Sequence, residues 1–277
     1  MLKEASKYLL LPALLLMGAC SGGDADRDAA DGLVAEASAA LDRGDFAGAE
    51  ALLDSLSATY PKQIEAGRAA LALRPKVIVR KTEQEIVDLQ ALLQYTGAYV
   101  DSLAAGFKTV PASNDVFEPY IISKDIPDNW RERNTAVARL TPASEFYVIS
   151  SVATTTARHT ALRLTGEGGA SVTSGSVPFD ATDRLSRESV RFAAGRADTL
   201  GVFAMQMDGR GPLTLEFVGG NAAPKATLSP KEVHAMADTW RLGSAMQTVR
   251  GGAARLEQLK AKLQLARDQV SRTDKNE

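Results

Sequence analysis

Two apolar seams constrain this chain more than any other feature. Val79, Thr82, Ile86, Leu89, Leu93, Thr96, Val100, Leu103 and Phe107 recur alternately three and four residues apart. Leu242, Met246, Val249, Ala253, Leu256, Leu259, Leu263, Ala266 and Val270 do the same near the other end. This alternation keeps one stripe of a helix apolar along its length, as in the seam of a coiled coil. Charges such as Lys81, Glu83, Glu85 and Asp88 lie off the first seam. A stripe of this kind must be covered, because apolar surface left in water is unfavourable. The simplest arrangement pairs the two seams antiparallel within the chain, as a stalk that lifts the intervening segment to its tip. The alternative is an intermolecular coiled coil. Pro75 predicts a kink or break ahead of the first seam, and Gly243 and Gly251-Gly252 weaken the second helix locally. Ser229-Pro230-Lys231-Glu232 is a capping box with proline at the first helical position, which starts that helix.

Between the seams the pattern changes. Glu145 to Ile149, Thr160 to Leu164, Ser171 to Val177, Ser189 to Phe192 and Leu213 to Val218 are short β-prone runs. Turn chemistry separates them, as in Gly166-Glu167-Gly168-Gly169 and Asp208-Gly209-Arg210-Gly211-Pro212. Leu200, Phe203, Ala204 and Met207 follow helical spacing behind Asp198, which reads as an N-cap, so a short helix is expected across the sheet. Residues 116–134, rich in Pro, Asp and Asn, read as an irregular entry loop. The expected fold class is therefore α+β: a helical hairpin and an antiparallel coiled-coil stalk with a small inserted antiparallel β module.

The helical hairpin precedes the first seam. Ala37, Ala40 and Leu41 share one face; Arg43-Gly44-Asp45 makes a turn; Phe46, Ala49, Leu52, Leu53 and Leu56 share a second face that Tyr60-Pro61 ends. Ala37, Gly44, Phe46, Ala49, Leu53 and Pro61 resemble a tetratricopeptide unit. The chain carries no second copy at the expected period, so an extended peptide-binding array is not expected.

The single cysteine, Cys20, follows a short basic start with Lys3 and Lys7 and an apolar run from Tyr8 to Met17. That run is too short to span a bilayer core of roughly 30 Å. Leu16-Met17-Gly18-Ala19-Cys20 resembles the bacterial lipobox, with Met17 where leucine is usual. The resemblance implies a signal peptide over 1–19, lipidation of Cys20, and a mature chain with no other thiol. A flexible tether is expected over 20–32, then folded structure from about Leu33: hairpin and first stalk helix over 33–109, β module over 110–228, returning helix over 229–277. Asp24, Asp26, Asp28 and Asp31 resemble the signals that send lipoproteins of Bacteroidota to the cell surface, and a solvated linker accounts for them equally. The order of lipobox, hairpin, seam, β module and returning helix resembles uncharacterised lipoproteins of Bacteroidota with a tetratricopeptide-like hairpin. The resemblance implies an outer-membrane location and carries no activity.

A formal net charge of −2 argues against a nucleic-acid partner, which needs a basic face. The sequence has no HExxH pair, GxSxG elbow, Walker loop or GxGxxG fingerprint. With two histidines and no free thiol, no metal site and no cofactor is expected. His159 beside Thr154-Thr155-Thr156 is the one candidate for a base near hydroxyls. His234 lies near the start of the C-terminal helix. Asp125 and Asp128 form a carboxylate pair that could serve a glycosidase, with turn formation as the better explanation. Phe117, Tyr120 and Trp130 are candidate binding residues, for a sugar or a partner chain, with core packing as the competing use. The leading expectation is a non-enzymatic, lipid-anchored envelope protein that presents a binding module to another envelope protein. A glycan-binding surface lipoprotein and a lipid-anchored hydrolase are the alternatives.

Overall fold

In the computed structural model, residues 22–113, 118–154, 156–179, 187–221 and 224–276 are described. The fold is α+β, with five α-helices and two antiparallel sheets among the described residues. The chain divides into two compact units, Met1–Asp88 with Glu257–Glu277, and Leu89–Leu256. This division cuts through the two long helices, α3 (Ile64–Ala104) and α5 (Pro230–Asn276), rather than falling in loops.

The first unit is helical. α1 (Gly22–Asp42) and α2 (Phe46–Thr59) form the expected hairpin, with Asp45 capping α2 by accepting from the Gly48 N–H at 2.9 Å. Ala37, Ala40 and Ala49 are buried beside Leu53, Leu56, Ala66, Ala70 and Val77, so small side chains set a close approach of α1, α2 and α3. Helix α1 begins at Gly22, so the tether expected over 20–32 and the folded start at Leu33 are corrected. Ala25, Ala29 and Ala30 favour helix, and Ala30 is fully buried in the hairpin core. Pro75 lies inside α3, which continues through it. Lys76 pairs with Asp274 at 3.7 Å and Glu83 with Arg267 at 2.9 Å. The pairs step forward along α3 and backward along α5, so the two seams pair antiparallel within one chain. Thr82, Leu259, Leu263 and Ala266 are buried along this seam, while the off-seam Leu71, Val87 and Leu265 are exposed.

The second unit contains both sheets. The five-stranded sheet has the order β1 (Phe107–Val110), β2 (Tyr120–Ser123), β3 (Thr135–Leu140), β4 (Phe146–Ser151), β7 (Arg191–Phe192). The four-stranded sheet has the order β6 (Ser171–Thr173), β5 (His159–Thr165), β8 (Leu213–Gly219), β9 (Ala226–Leu228). One core joins Leu140, Val148 and Phe192 of the first sheet to Leu162, Leu164 and Leu215 of the second. Leu200, Phe203 and Ala204 of α4 (Asp198–Met207) and Val233, Met236 and Leu242 of α5 complete it. The first half of α5 is thus part of the β unit's own core and not a free stalk. The capping box is formed: Ser229 N–H and Oγ both donate to Glu232 Oε2 at 2.8 Å.

Several expected boundaries shift. Strands β1, β2, β3 and β9 were not anticipated: β3, TAVARL, is buried along its whole length, so it lacks a polar face and the alternation that marks a strand. Helix α3 ends at Ala104, and Phe107 opens β1 instead of closing the seam. The run Ser171 to Val177 pairs as a strand only over β6. Asp198 is the first residue of α4 instead of its cap, and its Oδ1 accepts from the Gly195 N–H at 2.9 Å. On α5, Ala253 is exposed, and Gly252 faces α3: a Cβ there would lie 2.5 Å from Leu93 Cδ2. Among the described residues no helix is long and apolar enough to cross a membrane.

Candidate functional site

Strand β4 turns Phe146, Val148 and Ser150 into the core, because alternate residues of a strand share a face. Ser150 Oγ meets His159 Nε2 of β5 at 2.7 Å, and His159 Nδ1 meets Glu188 Oε2 at 3.0 Å. The connectivity serine, imidazole, carboxylate is that of a hydrolytic relay. Ser150 and His159 are 0% exposed and Glu188 is 1% exposed, so no substrate reaches the hydroxyl in this state. The Val190 N–H donates to Ser150 Oγ at 3.1 Å, and the Arg158 N–H to Glu188 Oε1 at 3.0 Å. Phe217 packs edge-on against the imidazole at 5.3 Å, with Phe192 tilted at 6.3 Å. Burial pulls the His159 pKa below its ordinary value, and Glu188 opposes this shift. A neutral ring suits the geometry: Nδ1–H donates to Glu188, and Nε2 accepts from Ser150. The relay ties one sheet to the other through the core, a tertiary staple built from polar groups. Arg158 has φ of 51°, and a register irregularity falls between His159 and Ala161, so this stretch is locally strained.

The opposite face of the five-stranded sheet carries a second polar feature. In the β3–β4 register Arg139 sits opposite Tyr147. The Arg139 guanidinium lies 3.8 Å from the Tyr120 ring centre and 4.6 Å from that of Trp130. Arg139 is 4% exposed, and burial lowers its pKa while Tyr120 and Tyr147 oppose this. Tyr120 and Trp130, expected as candidate binding residues, are therefore buried in a second hydrophobic cluster with Ile122, Ile126 and Val137. Phe117 and the lipidation residue Cys20 lie outside the described residues.

A third cluster is more exposed. Asp208, His234 and Asp238 turn ligand atoms toward one another within 4.8 Å, spacing that suits a divalent cation. Arg241 already bridges the two carboxylates at 2.8 and 2.7 Å, so a fixed positive charge stands beside them. His234 Nδ1 lies 3.0 Å from Asp208 and Nε2 3.3 Å from Asp238. Partial burial pushes the Asp208 carboxyl up, but hydrogen bonds from Arg241 and His234 outweigh it and hold the pKa below the usual range. This is the chemistry of an ion-pair network.

Other sequence candidates separate. Asp125 pairs with Lys231 at 3.1 Å and Asp128 with Lys108 at 2.7 Å, so the two carboxylates serve different lysines. Thr154 Oγ1 and Thr156 Oγ1 hydrogen-bond each other at 3.0 Å in a surface turn, and Thr155 lies outside the described residues. The hydroxyl that reaches His159 is Ser150, which no local motif marks, since it reads as an ordinary strand residue. Glu188 and Arg139 were also missed, because their partners come from distant strands. Comparison with protein-family models, with curated proteins and with solved structures finds no match.

Proposed function

We propose that this chain is a non-enzymatic, lipid-anchored protein of the cell envelope that works by binding a protein partner through its second, β-rich unit. The observation that carries the non-catalytic reading is the complete burial of Ser150, His159 and Glu188. The reading of a binding protein draws support from the outward face of α3, where Leu92, Tyr95 and Tyr99 are exposed to 50%, 75% and 40%. Tyrosine and leucine in such a patch are the side chains that protein interfaces use as anchors. Anchoring rests on the lipobox-like residues Leu16 to Cys20 and implies the outer membrane, facing either the periplasm or the exterior.

The reading has a two-part test. A fatty-acid probe supplied in growth medium should label the protein, and Cys20→Ala should abolish the label; equal labelling of both would refute the anchor. A photo-crosslinking side chain at position 95 should capture a discrete partner in intact cells, and Leu92→Asp should abolish capture. A crosslinker at 95 that captures nothing would refute binding at this face.

One observation favours a second reading, a lipid-anchored hydrolase: the Ser150–His159–Glu188 connectivity itself. A fluorophosphonate probe separates the two, since stoichiometric labelling of Ser150 requires an open, reactive hydroxyl. The glycan reading loses its platforms at Tyr120 and Trp130, which are buried against Arg139.

A further inference from the structure

Arg139 has an unusual set of partners for a buried cation. Among the described residues its Nε and Nη2 have no hydrogen-bond partner, although both atoms are buried. Among the described residues no ion pair matches its charge. The two atoms without partners are significant together. The Nε–H and one Nη2–H of a guanidinium point the same way in one plane, spaced as the two oxygens of a carboxylate are spaced. The Tyr120 and Trp130 ring centres lie 3.8 and 4.6 Å from the guanidinium carbon, and a guanidinium donates only through the edges of its plane. Tyr147, opposite Arg139 in the β3–β4 register, leaves the fork without an acceptor among the described residues.

The surroundings add positive charge. Arg131 lies 5.1 Å from the Trp130 ring centre, and Arg191 4.3 Å from that of Tyr147. Three guanidinium groups thus lie against three aromatic rings. Arg191 pairs with the exposed Glu118 at 3.3 Å, and that carboxylate does not reach Arg139. A buried donor left without an acceptor is costly, and a buried charge more so. Stacking on aromatic rings offsets part of the charge cost but supplies no acceptor to the fork.

We infer that the Arg139 fork is an oxyanion-binding site: a carboxylate or phosphate group accepts from Nε–H and Nη2–H together, beside the Tyr120 and Trp130 rings. The apolar neighbours Ile122, Ile126 and Val137 exclude water and strengthen such a contact. Entry requires covering side chains to move, since the fork atoms are buried. The ligand is then an anionic group presented by a larger molecule or a small free anion. The site goes beyond the lipid-anchored binding reading and does not depend on the anchor.

The test uses the full chain labelled with 15N-arginine. Acetate and inorganic phosphate are titrated separately, with chloride at matched ionic strength. Contacts of its Hε with the Tyr120 and Trp130 rings identify the Arg139 signal, so assignment needs no folded variant. The expected result is a saturable downfield movement of the Arg139 Nε–H signal with at least one probe and none with chloride. Movement with acetate alone assigns a carboxylate ligand; movement with phosphate alone assigns a phosphate. Saturating probe should also raise the thermal midpoint of the wild type and not that of Arg139→Lys, which keeps the charge but lacks the fork. An Arg139 signal that no oxyanion moves overturns the site, as does equal thermal stabilisation of wild type and Arg139→Lys.

Discussion

Replacing Glu188 with leucine tests whether the buried relay holds the two sheets together. The Glu188 carboxylate accepts from the Arg158 N–H and from His159 Nδ1, both at 3.0 Å, the first bond part-buried and the second buried. Leucine fills a similar volume and accepts nothing, so a buried ring N–H and a part-buried backbone N–H lose their partner. The orphaned ring N–H costs about 1–3 kcal/mol and the part-buried backbone N–H less, giving a loss of roughly 2–4 kcal/mol. Against a total stability of about 5–15 kcal/mol, that loss moves a large fraction of the denaturant midpoint. Glu188→Gln should cost less than half as much. With glutamine the imidazole can exchange tautomers, accept at Nδ1, and donate from Nε2 to Ser150, whose hydroxyl then turns to the Val190 carbonyl at 3.2 Å. Urea unfolding followed by tryptophan fluorescence reads this unit by itself, because Trp130 and Trp240 both fall within Leu89–Leu256. A leucine variant as stable as wild type would refute the reasoning: the cost of burying the Glu188 anion would then equal what its two donors return. The same assay carries a pH dependence. The folded pKa of His159 is lowered below its ordinary value, so the unfolded chain binds the proton more readily. Stability from this group is therefore complete above the ordinary histidine value and is lost as pH falls from there through the folded value. His159→Asn should flatten that loss between pH 7 and 5, and an unchanged slope would mean another group controls it.

Two further predictions concern packing. Gly219→Ala should destabilise by about 1–3 kcal/mol, because its Cβ would lie 2.6 Å from the Arg158 carbonyl oxygen and the His159 Cα, main-chain atoms that cannot swing away; a urea midpoint equal to wild type would refute it. Thr82→Val should stabilise the first unit by about 1 kcal/mol, since the Thr82 hydroxyl is fully buried in the seam and has no partner among the described residues, and a lowered thermal midpoint by helical circular dichroism would show that the hydroxyl is satisfied.

Much of the helical structure was legible from residue order. Seam spacing, the Ser229–Glu232 capping box and the Arg43–Asp45 turn are local signals, because a helix satisfies its backbone within a few residues and shows its buried face as a period. Five strand runs and α4 were legible for the same reason, through alternation, turn glycines and helical spacing. Strand β3 was not, because burial on both faces removes the alternation. Only the tertiary structure decided that the first half of α5 completes the β core, through contacts of Val233, Met236 and Leu242 with strands far away in the chain. It likewise decided the sites. Ser150, His159 and Glu188 come from three separate segments, and Arg139 on β3 meets Tyr120 on β2, Trp130 in the turn after it and Tyr147 on β4. A polar residue's role depends on which distant groups face it, and that is set by sheet register and packing, not by neighbours in the sequence.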